Sequence, residues 1–225
     1  MKPPDAMLFD LDGTLIDSVP DIAVAVNAMR CQTGRSAQPE EVIRGWVGRG
    51  LSVLIHRSLT GGEDDGAEPS AHAEAIKIFR HHYRDCCTKK TTLFQGADAL
   101  LRWLSSRSIK TAIVTNKPES FAIQIVSSLS IEVDLIIGAA EHRPLKPDPA
   151  SLIEAADRLG VSRPWMVGDT QFDLHAARAA HIPFIGVQLE GNQGRNISDL
   201  TSSDEPVFES LTDFHTWLQE EVWHV

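Results

Sequence analysis

Asp10 and Asp12 stand one residue apart, directly after the apolar run Met7-Leu8-Phe9. An apolar run ending in two carboxylates reads as a buried strand that delivers charge to its C-terminal end. Alternation along a strand sends both side chains to the same side. Two like charges held that close need a cation or a shared proton. Gly13-Thr14 then permits a tight turn away from the strand. Such a pair suits a divalent metal, with one carboxylate acting as a nucleophile. Asp-x-Asp alone fits a turn-capping acid pair equally well, so the weight falls on the rest of the chain.

Three further segments carry complementary chemistry. The segment Lys110 to Pro118 reads as an apolar strand ending in Thr115-Asn116, where a hydroxyl can donate to a phosphoryl oxygen. Leu145-Lys146-Pro147-Asp148-Pro149 sets a lysine before two prolines, which fix the backbone and are tolerated in the first turn of a helix. Pro164 to Gly168 is another apolar run, followed by Asp169 and Asp173. These two acids are four residues apart, the spacing of one turn of the helix that Leu174 to Ala180 predicts. Singly, each has an ordinary reading: Thr115 as a helix cap, Lys146 as a solvated charge, Asp169 and Asp173 as a cap and a surface acid. Together, three of the four segments fall at the ends of predicted parallel strands, where open α/β sheets place their sites.

In this order and spacing, the four segments resemble the four motifs of the haloacid dehalogenase superfamily, over Met7 to about Gly191. The resemblance implies that Asp10 is the nucleophile and Asp12 the general acid/base. It implies that Thr115 binds phosphate, with Asn116 beside it, and that Lys146 steadies nucleophile and phosphate. Asp10, Asp169 and the backbone carbonyl of Asp12 would hold Mg2+, with Asp173 as an accessory acid behind them. An acid at position 12 points to phosphate esters, because the dehalogenating and phosphonate-cleaving branches lack one. The chemistry of the residues agrees. An anionic Asp10 attacking an anionic phosphate is opposed electrostatically, and a hard divalent cation with Lys146 removes that opposition. Asp12 can protonate the leaving alkoxide and then deprotonate the water that hydrolyses an aspartyl-phosphate.

The elements that must position these groups follow from the gaps between them. About 100 residues separate Asp12 from Thr115, whereas the later gaps are about 20 to 30 residues, one strand-plus-helix unit each. The long gap has helical periodicity: Ile22, Ala23, Val26 and Met29 share one face, as do Ile76, Phe79 and Tyr83. The expectation is an α/β protein, a Rossmann-like parallel sheet core formed by residues 1–16 and 94–225, with an inserted helical cap domain at 17–93. Alternating strand and helix patterns after residue 94 argue for a sheet covered on both faces. The cap segment Arg44 to Leu51 places Arg49 between two glycines, where it can meet a small carboxylate on closure. This segment, Thr115 to Pro118 and Glu190 to Gly194 resemble bacterial phosphoglycolate phosphatases. That resemblance implies hydrolysis of 2-phosphoglycolate to glycolate and phosphate. Other small sugar or amino-sugar phosphates, and a phosphomutase of the β-phosphoglucomutase type, are the alternatives. A phosphoacceptor signalling module fits less well, since it needs no insertion of this length, and an inert binding protein has no use for a full set of polar positions.

Composition narrows the class further. The chain has 225 residues, 42% hydrophobic and 23% charged, ordinary values for a globular protein. A net charge of −10 argues against nucleic acid and anionic membranes as partners. It also means that local positive groups must dominate wherever a phosphorylated metabolite binds. The first residues lack the apolar stretch of a signal peptide and no run approaches membrane-spanning length, so the expected location is cytoplasmic. Cys31, Cys86 and Cys87 form no zinc spacing and read as reduced thiols. Gly61 to Gly66 reads as a flexible loop. Trp217 and Trp223 read as packing residues in a closing helix, and the expected state is a monomer or homodimer.

Overall fold

The computed structural model describes residues 2–62, 69–189 and 197–223. Most of the Gly61 to Gly66 segment, and Glu190 to Gly194, lie outside the described residues. Six strands form one sheet: β1 (Ala6–Phe9), β4 (Lys110–Pro118), β5 (Leu135–Ala139), β6 (Pro164–Gly168), β7 (Phe184–Val187) and β8 (Val207–Phe208). Their order is β5-β4-β1-β6-β7-β8, and every neighbouring pair is parallel. From β1 the chain builds outward through β4 to β5, then returns to the other side of β1 with β6. Loops on both sides of β1 therefore open at the same carboxyl edge, the place where such sheets bind ligands.

Both faces of the sheet are buried. Met7, Phe9, Ile113 and Val167 point into one apolar cluster, and Leu8, Ala112, Val114 and Met166 into the other. This is the two-residue period of a strand covered on both sides, and it explains why β1 and β6 read as continuous apolar runs. The covering helices are α5 (Ala97–Ser106), α6 (Glu119–Ser128), α7 (Ala150–Leu159), α8 (Gln171–Ala179) and α9 (Leu211–Trp217). A single π-helical turn, Leu218–Val222, extends α9. Trp217 packs on Phe208, Phe214 and Trp165, and Trp223 meets Trp103 edge-on.

Between β1 and β4 the chain leaves through β2 (Ile16–Asp17) and returns through β3 (Thr92–Leu93), which pair antiparallel. The helices between them are α1 (Val19–Gln32), α2 (Glu40–Arg44), α3 (Leu51–Thr60) and α4 (Pro69–Cys86). The way back is clamped by Asp21. Its carboxylate accepts the main-chain N–H of Lys90 and Thr91 and the Thr91 hydroxyl, at 2.8–3.0 Å. Asp17, at the way out, takes a bidentate contact from Arg44 at 2.9 and 3.1 Å. Trp46 is buried among these helices. Among the described residues, no helix is long and apolar enough to cross a membrane.

Candidate active site

The polar segments converge at the carboxyl ends of β1, β4 and β6. Asp10 lies just past β1, and its N–H donates to Val167 O at 2.9 Å, which ties it to β6. Lys146 arrives from the loop between β5 and α7. Its three N–H groups meet three acceptors: Asp10 Oδ1 at 2.8 Å, Asp173 Oδ1 at 2.6 Å and Val114 O at 2.6 Å. An ammonium has no fourth donor, so its position is fully specified.

Asp169 and Asp173 do not share a helical turn. The helix begins later than their spacing predicts, because Thr170 is the N-cap of α8 and Asp169 precedes it. Asp173 closes a capping box, its Oδ2 accepting from Thr170 N at 3.0 Å and Thr170 Oγ1 at 2.6 Å. That leaves Oδ1 for Lys146. Asp169 accepts the Thr14 hydroxyl at 2.9 Å and lies directly against Gly13. A Cβ on Gly13 would come within 2.5 Å of the Asp169 carboxylate, and its φ of +88° is one that side chains resist. The Asp-Gly-Thr turn thus both admits and fixes the acid from β6.

Asp10, Asp169 and Asp173 are all buried, with one carboxylate oxygen from each lying within 4.8 Å of the others. Lys146 contacts two of these carboxylates, Asp10 and Asp173, so acids are crowded together in a poorly solvated place. Burial pushes the Asp10 carboxyl up to about 6. Asp173 and Asp12 add to the rise and Lys146 opposes it. Burial disfavours the Lys146 ammonium as well, but Asp10 and Asp173 outweigh it and hold its proton more tightly than usual. Clustered carboxylate oxygens suit a hard divalent cation, and Asp10, Asp169 and Asp173 together could hold one.

Asp12 faces elsewhere. Its carboxylate is held by Lys117 Nζ at 2.8 and 2.9 Å and by the Ser18 hydroxyl. Only its backbone carbonyl remains for the metal contact that the family resemblance implies. The two carboxylates of the first motif therefore part company, and each has its own lysine. Thr115 and Asn116 lie where β4 shifts register against β5, between Val114 and Pro118. Irregularities of this kind re-aim side chains beside sites. Thr115 Oγ1 accepts from Lys117 N at 3.3 Å and faces a chamber shared with Asp10, Asp12 and Lys117.

The Asn116 amide is engaged at both ends. Oδ1 accepts Lys146 N at 2.8 Å, while Nδ2 donates to Lys146 O at 3.0 Å and to Gly48 O at 3.3 Å. It joins the Lys146 loop to the inserted helices. Arg49 does not line the chamber that holds Thr115. Its guanidinium lies 5.6 Å from the Phe172 ring centre, in a neighbouring hollow bounded by Asp12, Gly13, Asp169 and Thr170.

Sequence reasoning passed over Lys117, Ser18, Thr14 and Arg143. Lys117 was in view beside Asn116, but nothing local says that it reaches Asp12 across 105 positions. Arg143 ties the Lys146 loop down, donating to Glu154 at 2.8 and 3.0 Å, Glu119 at 3.0 Å and Gly138 O at 2.6 Å.

The chain is similar to known proteins. The family model described as haloacid dehalogenase-like hydrolase matches residues 7–187. A phosphoglycolate phosphatase from Pseudomonas putida is 39% identical over 199 residues, covering 86% of this chain and 73% of the relative. Another, from Nitrosococcus oceani, is 32% identical over 224 residues and covers 98% and 99%. A crystal structure from Haemophilus somnus, described as a predicted phosphoglycolate phosphatase, superposes with a TM-score of 0.84. It covers 97% of this chain and all of the other, at 24% identity, and speaks to the fold alone.

Proposed function

The chain belongs to the haloacid dehalogenase-like hydrolase family, and from that membership we propose that it is a magnesium-dependent phosphatase that hydrolyses 2-phosphoglycolate to glycolate and phosphate. The observation that carries the reaction is the convergence of Asp10, Lys146, Asp169 and Asp173 on one point, beside a chamber that also holds Thr115 and Asp12. The substrate rests on the phosphoglycolate phosphatases that cover most of the chain. Helices α1–α4 act as the cap, and Asn116 and Arg49 hold its Gly48 to Gly50 loop against the core.

In this reading a carboxylate oxygen of Asp10 attacks phosphorus in line with the departing ester oxygen. The new O–P bond makes an aspartyl-phosphate as the ester bond breaks, and Asp12 gives its proton to the leaving alkoxide. Asp12 then takes a proton from water as that water attacks phosphorus, which frees Asp10 and releases phosphate. The Thr115 hydroxyl and Lys146 stabilise the transferring group, with Lys146 also holding Asp10 in line. When bound by Asp10, Asp169 and the Asp12 carbonyl, Mg2+ neutralises charge between nucleophile and phosphate.

The test is phosphate release from a panel of small esters that includes 2-phosphoglycolate, with and without Mg2+, with Asp10→Asn protein as the blank. Fast, magnesium-dependent release from 2-phosphoglycolate that vanishes in the variant is the expected result. Faster release from another ester would move the substrate and keep the mechanism. Residual turnover by Asp10→Asn at more than about a thousandth of the wild-type rate would remove Asp10 as nucleophile.

A further inference from the structure

Tyr83 is 1% exposed, and among the described residues its hydroxyl has no hydrogen-bond partner of normal geometry, with Lys117 as a charged neighbour. Buried polar groups without partners are rare, and leaving one so is costly. Tyr83 lines the same chamber as Asp10, Asp12 and Thr115, with its hydroxyl buried behind that lining. The ring cannot easily turn away. Phe79 stacks on it at 5.1 Å and Phe121 meets it edge-on at 4.9 Å. Lys117 Nζ lies 5.1 Å from its ring centre while contacting both oxygens of Asp12. The rest of this wall is apolar, formed by Ile22, Val47, Leu51, Leu54, Phe79 and Phe121.

A leaving group without polar atoms beyond its ester oxygen would fill this wall and leave the Tyr83 hydroxyl stranded. One with an acceptor oxygen would satisfy it. We propose that Tyr83, with Lys117 beside it, forms the leaving-group subsite and receives a carboxylate of the substrate. The phenol supplies a directed donor and the ammonium supplies charge, while the apolar wall keeps the leaving group small. A site built to hydrogen-bond an oxygen discriminates against analogues that lack it, because its own donor is then left unpaired. The subsite rests on reading the chamber as that of a phosphatase, and it places the carboxylate contact away from Arg49.

Binding of two phosphonates, measured by calorimetry at fixed Mg2+, tests this independently of turnover. 3-Phosphonopropionate replaces the ester oxygen of 2-phosphoglycolate with a methylene; propylphosphonate lacks the carboxylate. The wild-type protein is expected to prefer 3-phosphonopropionate, and Tyr83→Phe to cut that preference about tenfold. The variant should unfold no earlier than wild type, since it loses only an unpaired hydroxyl, and measurable propylphosphonate binding would show that its site is intact. An equal preference in both proteins, or none in wild type, would overturn the subsite. Preference for the carboxylate without hydrolysis of 2-phosphoglycolate would keep the subsite and retire the substrate.

Discussion

Lys146 and Lys117 are both buried, and each serves one acid of the pair that follows β1. Their surroundings differ. Every partner of Lys146 belongs to the sheet side of the molecule: Asp10, Asp173 and the carbonyl of Val114. Lys117 spans two regions. It holds Asp12 from the sheet side and lies against Tyr83 of α4, while Ser18, at the start of α1, takes the other side of Asp12. The half of the site around Asp10 is thus fixed by the sheet side alone: strand ends, the Lys146 loop and the first turn of α8. The half around Asp12 is complete only with the inserted helices in place. In the proposed reaction, bond making at phosphorus falls to the first half and recognition of the leaving group to the second.

The sharpest way to break this comparison is Lys146→Met. It strands Asp10 and Asp173 without their cation, so we expect turnover to fall on the order of 10³-fold and unfolding free energy to fall by roughly 3–5 kcal/mol. Denaturant titration beside steady-state kinetics checks both, and near-native stability would mean that the acids are not a charged cluster. Lys117→Met is expected to be milder, because Ser18 still holds Asp12. A loss on the order of 10- to 100-fold should fall more heavily on alkyl than on phenyl phosphates, since poor leaving groups depend more on a proton donor. Equal losses on both would sever Lys117 from the acid role of Asp12.

The smallest effect separates the halves through pH. The Asp10 carboxyl titrates near 6 when folded and near 4 when unfolded. Between those values the folded state binds more protons, so Asp10's contribution to stability declines as pH rises through the window and is fully unfavourable above it. A cation that engages the Asp10 carboxylate relieves that cost only where the group is charged. Mg2+ should therefore raise the thermal midpoint by a few degrees at pH 7.5 and by less at pH 5. The same shift at both values would take Asp10 out of the cation site.

Much of the sheet could be read from local pattern. The runs at Met7 to Phe9 and Pro164 to Gly168 are strands because unbroken apolar stretches of that length suit a sheet buried on both faces. The short strands β2, β3 and β8 could not be read, because two residues carry no period. The helix over 171–180 was legible and α8 begins at Gln171, but the Asp169–Asp173 spacing also suggested one shared turn, and Thr170, as the N-cap, leaves Asp169 outside it. Tyr83 read as one more apolar position on a helix face, and only its packing shows that its hydroxyl lacks a hydrogen-bond partner of normal geometry among the described residues.

By itself the sequence determined which groups are present and that strands deliver them: acids after β1 and β6, a hydroxyl on β4, a lysine ahead of α7. Periodicity and apolar runs are properties of neighbouring residues, so they survive in a one-dimensional reading. Only the tertiary structure decided who pairs with whom. Lys146 meets Asp10 across 136 positions and Lys117 meets Asp12 across 105. Pairings at such separation depend on strand order, on the register shift in β4 and on the docking of α4, and no local spacing encodes them.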